Sequence, residues 1–224
     1  MPPLHLSFRE RLIPAIVIMI LLSASDAFAG GRVLLYGARM IPFGNDATTY
    51  SRAGYGAGAQ IILPVPALFE VFAGVGGIEY VHLLSKTQSF IDRQTGLRVD
   101  QETSQGNFRL YFGGQVGGHG NGFLRPHAGL NISLTDYSFA VDVVVPDDYN
   151  REQEIRQNLR NEQRWVFGYD MTLGLDLNFL KFSIDGGVRY VKAFAVPQQL
   201  GDGSVQIYPN YFQVYIGAGI PISF

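Results

Sequence analysis

Apolar residues recur at every second position along most of the chain, and the last segment shows this most plainly. From Tyr211 to Phe224 one face reads Phe212, Val214, Ile216, Ala218, Ile220, Ile222 and Phe224. The other reads Tyr211, Gln213, Tyr215, Gly217, Gly219, Pro221 and Ser223. A period of two belongs to a strand with one apolar face. An apolar face that ends on an aromatic residue, opposed by a small and polar one, suits a strand set between lipid and a narrow lumen.

Seven earlier segments alternate in the same way: Arg32 to Met40, Gly54 to Leu63, Phe69 to about Leu83, Asn107 to Gly117, Leu124 to Thr135, Trp165 to Phe179 and Phe182 to Tyr190. The sixth is the cleanest, with Trp165, Phe167, Tyr169, Met171, Leu173, Leu175, Leu177 and Phe179 on one face. In the first, Leu34, Tyr36, Ala38 and Met40 form the apolar face, which sets Arg39 on the lumen side. In the third, Phe69, Val71, Ala73 and Val75 oppose Glu70, Phe72 and Gly74, and the pattern slips at Gly76-Gly77, where a bulge is expected. Most segments run about ten residues, the length a tilted strand needs to cross a bilayer.

The connections alternate in length. Pro64 to Leu68, Gly118 to Phe123 and the turn Phe179-Leu180-Lys181 are short, whereas Ile41 to Ala53, Leu84 to Gly106, Asp136 to Arg164 and Val191 to Asn210 are long. Short turns on one side and long loops on the other mark an outer-membrane barrel, turns in the periplasm and loops outside. The pattern predicts an all-β fold: an eight-stranded antiparallel transmembrane up-and-down β-barrel with both termini periplasmic. Trp165, Tyr169, Tyr190 and Phe212 fall near the loop ends of strands, and Phe123, Phe179, Phe182 and Phe224 near the turn ends, as interface girdles require. Within Asp147 to Arg164 the Glu152/Arg156 pair and the apolar Ile155 and Leu159 fit either a short surface helix or a solvated loop.

The start of the chain agrees with export. Arg9 and Arg11 precede an apolar run from Ala15 to Ala24, and Ala27-Phe28-Ala29 is a small-x-small cleavage site. Residues 1–29 are therefore expected to be a signal peptide and 30–224 the barrel domain. The run is too short for a helix that crosses a bilayer. No cysteine is present, so the sheet must hold without disulfides. A net charge of −2 gives no electrostatic reason to expect a nucleic-acid partner.

Several pieces resemble the small outer-membrane barrels of the OmpA and OmpX type. Arg125-Pro-His-Ala-Gly-Leu-Asn is similar to the Arg-Pro-Tyr-x-Gly-x-Gly opening of a family strand. Gly168 to Asn178 leads through a tight turn into Gly186-Gly-Val-Arg-Tyr190. The C-terminus is similar to the family's recognition signal for the barrel-assembly machinery. Gly219, Ile222 and Phe224 match it, while Gly217 stands at its polar position. The resemblance implies a monomeric barrel whose partners are outer-membrane lipid, lipopolysaccharide and the assembly machinery, with an extracellular partner reached through the long loops.

The registers predict a lumen holding Arg39, Arg109, Arg125 and Arg189 against Glu70, Asp170, Asp176 and Asp185, with His127 beside them. Eight strands leave room only for side chains, so balanced charges suggest a structural network that plugs the barrel. The leading functional expectation is a structural or surface-interaction protein. A narrow porin or hydrophobic-compound channel is the alternative, and a lipid-A-modifying enzyme stands behind it. Barrel deacylases of lipid A carry a His-x-Ser pair on a lipid-facing strand. Here His82, His119 and His127 are each without a serine two residues on. No catalytic residue, metal site or cofactor is expected. A soluble lipocalin-like barrel would need apolar residues inside, contrary to the sixth segment.

Overall fold

A computed structural model describes residues 31–44, 48, 52–65, 71–91, 98–118, 122–145, 155–179, 181–194, 196–200, 203–207 and 210–222. The strands are β1 (Gly31–Pro42), β2 (Gly54–Pro64), β3 (Phe72–Ile91), β4 (Arg98–Gly117), β5 (Leu124–Val145), β6 (Ile155–Asn178), β7 (Ser183–Ala193), β8 (Val196–Leu200), β9 (Gly203–Ile207) and β10 (Asn210–Ile222). Eight of them close a barrel in the order β1-β10-β7-β6-β5-β4-β3-β2, and every neighbouring pair is antiparallel. β8 and β9 form a separate two-stranded ribbon between β7 and β10. Closure leaves no unpaired edge where the eight strands run side by side, the condition that a sheet in lipid would have to meet.

The pairing fixes the stagger. Met40 opposes Gln213, and the line continues through Arg189, Thr172, Gly129, Gln115, Ala73 and Pro64. Since Ile62 opposes Arg32, Pro64 meets β1 two residues before Arg32, so the circuit closes ten residues below its start. That shear tilts eight strands by about 40°. Residues far apart in the hydrogen-bonded register thus share one height along the axis.

Inside and outside separate cleanly on most strands. On β6 Phe167 is 67% exposed and Val166 only 7%. The outward residues from Phe167 to Leu177 make an apolar band of ~25 Å at that tilt, the height of an outer-membrane hydrocarbon layer. Rings gather at both rims. At the turn end Phe179 packs on Phe123 (5.4 Å between centroids) and stacks on Phe182 (5.0 Å). At the other end Phe212 meets Phe43 (5.1 Å) and Tyr190 (5.3 Å).

Three expectations are corrected. On β1 the faces are reversed: Leu35 is 57% exposed, whereas Leu34, Tyr36 and Met40 are buried inside, so Arg39 points outward. The lumen ends are themselves apolar, so alternation alone cannot tell in from out on this strand. On β3 there is no slip at Gly76-Gly77. Ala73, Val75, Glu79, Val81 and Leu83 all face inward in one unbroken register, Phe72 faces outward, and the irregularity lies between Leu83 and Lys86. Residues 155–164 are neither helix nor loop but part of β6. Much of the connection read from Leu84 to Gly106 is likewise β3 and β4. Glu70, Phe224 and the expected signal peptide lie outside the described residues.

Candidate functional site

The centre of the lumen is a closed ring of alternating charge. Arg109 Nη2 lies 3.1 Å from Glu79 Oε1, and Arg109 Nη1 donates to Asp170 Oδ2 (2.9 Å). Arg189 completes the ring, with Nη1 3.4 Å from Glu79 Oε2 and Nε 3.6 Å from Asp170 Oδ1. Neutral groups add further hydrogen bonds to the ring. The Tyr36 hydroxyl (2.8 Å) and Gln213 Nε2 (2.5 Å) donate to Glu79, and Asn131 Nδ2 donates to Asp170 Oδ1 (2.7 Å). Arg189 Nη2 donates to Gln60 Oε1 (3.1 Å), which also accepts from the Tyr111 hydroxyl (2.9 Å). Arg109 lies over the Tyr111 ring at 4.8 Å, and Arg189 over the same ring at 4.9 Å. Charges taken out of water are tolerated only when paired and hydrogen-bonded to this degree.

Every barrel strand supplies a member: Tyr36, Gln60, Glu79, Arg109, Asn131, Asp170, Arg189 and Gln213. Two inward glycines make the crossings. Gly58 lies between Tyr36 and Glu79 in the register, and Gly77 between Gln60 and Tyr111. Each tyrosine reaches over its glycine to the strand beyond. A Cβ at Gly58 would stand 2.5 Å from Tyr36 Cζ, and one at Gly77 2.5 Å from Tyr111 Cζ.

A second ionic group sits toward the turn end. Asp176 bonds Arg125, its cross-strand partner, and Arg32 Nη1 (2.5 Å). Asp185 takes Arg32 Nη2 (3.2 Å) and faces His127 Nε2 (3.4 Å). Apolar side chains flank the central ring, and on the turn side they share their level with the second ionic group, Ile62 standing directly opposite Arg32. Met40, Val81, Leu83, Val191 and Tyr211 fill the lumen toward the long-strand end, and Ile62, Ala73 and Val75 pack under Tyr111 toward the turns. Side chains thus fill the section at both levels.

Arg109, Arg125, His127, Asp170, Asp176, Asp185 and Arg189 all occupy the lumen. Arg39 does not, and the acid from β3 is Glu79, with Arg32 as the fourth arginine. Among the described residues four cations face four acids in the lumen: Arg32, Arg109, Arg125 and Arg189 against Glu79, Asp170, Asp176 and Asp185. Sequence reasoning missed Glu79 because it read Ala73 and Val75 as the outward face of this strand, and unbroken alternation keeps Glu79 on the side of those two residues, which is the lumen.

The barrel is lopsided. β3 to β6 run on beyond the apolar band as a four-stranded wall, in which Asp100 pairs with Ser89 and Val144 while Val145 reaches Ile155. β1, β2, β7 and β10 stop at Pro42, Gly54, Ala193 and Asn210. Polar contacts stiffen the wall. Arg98 Nε bonds Asp100 Oδ1 (3.1 Å) and its Nη2 bonds Ser89 Oγ (3.2 Å). Hydrogen bonding from Ser89, aided by Arg98, holds the Asp100 carboxyl below the usual carboxylate range.

No protein-family model and no curated protein matches the chain. Among solved structures it is similar to Neisserial surface protein A, with a TM-score of 0.53 and 13% identity over 87% of this chain and 97% of that one. Ail, the attachment invasion locus protein of Yersinia pestis bound to sucrose octasulfate, gives 0.47 and 13% over 87% and 99%. A major outer membrane protein from Thermus thermophilus gives 0.47 and 11% over 87% and 100%. At such identities the Neisserial likeness establishes the fold alone, and the other two add nothing to it.

Proposed function

We propose that this chain, an eight-stranded barrel with the fold of the small outer-membrane proteins, is a non-conducting anchor that holds a β-wall outside the cell for contact with a partner. The observation that carries the reading is the sealed lumen. A ring of paired charges drawn from every barrel strand lies between an apolar layer and a level filled by apolar and ion-paired side chains together, so the interior serves rigidity and the outer wall is left for interaction. The outward apolar band supports an integral place in the outer membrane. The turn end with both termini then faces the periplasm, and the chain is delivered by cleavage after Ala29 and by the C-terminal signal Gly219, Ile222 and Phe224. The reading involves a monomer and no catalytic step.

Conductance of the purified barrel in planar bilayers tests this. We expect no sustained openings at any voltage the membrane withstands. Regular openings of the wild-type chain that vanish when Arg109 or Asp176 is neutralised would establish a narrow channel instead.

A further inference from the structure

The outward faces of β1 and β2 are apolar from Val33 to Gly37 and from Leu63 back to Ala57. One step nearer the wall end the pattern breaks. Arg39 of β1, Tyr55 of β2 and His82 of β3 are direct cross-strand partners, and all three are exposed on the outer surface. Arg52, also exposed, is held beside the same edge because its backbone N–H donates to the Leu84 carbonyl (3.4 Å). The side chains of Arg39, Arg52 and His82 find no hydrogen-bond or ion-pair partner among the described residues. Among the described acids at this end, Asp100 is engaged by Arg98 and Asp136 by Gln163.

Depth gives the row its meaning. Tyr55 stands eight residues from Leu63 on β2, which at ~3.3 Å per residue and the strand tilt is ~20 Å. The row therefore lies at the upper edge of the ~25 Å apolar band, where hydrocarbon gives way to headgroups. Lipid tails cannot satisfy a guanidinium there. A phosphate can, because the planar fork of arginine matches two of its oxygens and the phenol and imidazole add donors. Strands ~4.8 Å apart bring all three side chains within reach of one tetrahedral anion.

We propose that Arg39, Arg52, Tyr55 and His82 form a binding site for the phosphate of an outer-leaflet membrane lipid. The site rests on the membrane reading above and extends it from general lipid contact to four named residues. It also accounts for Arg39 on a wall otherwise built for hydrocarbon.

The test uses the full-length mature barrel in neutral maltoside micelles doped with bisphosphorylated lipid A, and reads the lipid retained after gel filtration by mass spectrometry. We expect the wild-type chain to retain about tenfold more than an Arg39→Gln/Arg52→Gln variant, the factor that follows from losing a charge-assisted bond. Dephosphorylated lipid A should fall to the variant's level. Arg98→Gln, whose cation already has Asp100, should leave retention unchanged. Equal retention by wild type and variant, or indifference to the phosphates, overturns the site. Competition by inorganic phosphate at equal concentration overturns it in favour of a free-anion site. If the double variant lacks the heat-modifiable gel mobility of a closed barrel, Tyr55→Phe with His82→Gln replaces it under the same criteria. Trypsin protection in phosphatidylcholine vesicles tests insertion separately. An inserted barrel without selective retention removes the site alone, and a barrel that never inserts removes the membrane reading.

Discussion

Glu79 and Arg109 face each other directly across β3 and β4, their carboxylate and guanidinium 3.1 Å apart and both closed to solvent. Neither is held by the other alone. Glu79 also serves Arg189, Tyr36 and Gln213, and Arg109 also serves Asp170. Removing Glu79 therefore leaves Arg109 and Arg189 to share one carboxylate, that of Asp170. Glu79→Leu should lower stability by about 3–5 kcal/mol in urea titrations of the refolded barrel in vesicles, whereas Glu79→Leu with Arg109→Met should recover much of the loss. A single variant within ~1 kcal/mol of wild type would show that the ring does not support the fold.

The two arginines Arg39 and Arg109 should behave in opposite ways. Arg39→Leu removes an exposed cation from the outer wall and should shift the same titration by less than ~1 kcal/mol. Arg109→Leu leaves Glu79 and Asp170 with Arg189 as their one shared cation in the ring, and should cost about 3–5 kcal/mol. Equal losses would return Arg39 to the lumen.

Adjacent glycines on β3 give a sharper test of register. Gly77→Ala puts a methyl group 2.5 Å from Tyr111 Cζ and 2.8 Å from the Ala59 carbonyl oxygen, whereas Gly76→Ala meets nothing within 4 Å. The first should cost about 1–3 kcal/mol and the second nearly nothing. Gly77→Ala with Tyr111→Leu should recover only part of the loss, because the backbone contact remains. A more damaging Gly76→Ala would restore the slipped register.

Lipid exposure predicts a further contrast on β6. Leu173 is outward near the middle of the apolar band, so Leu173→Arg should cost about 2–4 kcal/mol, against ~1 kcal/mol or less for Ile41→Arg at the rim. The same unfolding titrations decide it, and equal costs would mean the band has been set at the wrong height.

Labelling tests the orientation. On intact cells an impermeant thiol reagent should modify Ser89→Cys on the exposed wall and leave Lys181→Cys at the turn end untouched until the envelope is opened. The reverse pattern would invert the barrel and put the wall in the periplasm.

The strands whose inner face is polar along most of its length were legible from the sequence. On β5, β6 and β7 the residues Arg125, Asp170, Asp176, Asp185 and Arg189 contrast with an unbroken apolar face, so alternation settles both strand and direction. β1 and β3 gave no such contrast. Leu34 and Met40 inside are as apolar as Leu35 and Ile41 outside, since they fill the ends of the lumen. The wall was hidden for a different reason. Beyond the membrane a strand needs no apolar face, and the run from Ile155 to Arg164 carries its charges at spacings a helix also tolerates. The ring itself was half visible. Its arginines and Asp170 could be read from alternation, but the tyrosines that cross Gly58 and Gly77 become meaningful only once three strands are laid side by side.

One member from each strand means that the ring has no stable partial form. Gln213 lies on the last strand to be made and Tyr36 on the first, and both donate to Glu79, far from either end of the sequence. An open sheet of seven strands would keep these charges hydrated and incompletely matched, and only the meeting of β1 with β10 lets them give up water together. The interior thereby acts as a latch on assembly. It rewards the final seam and gives a half-closed barrel no resting place inside the bilayer.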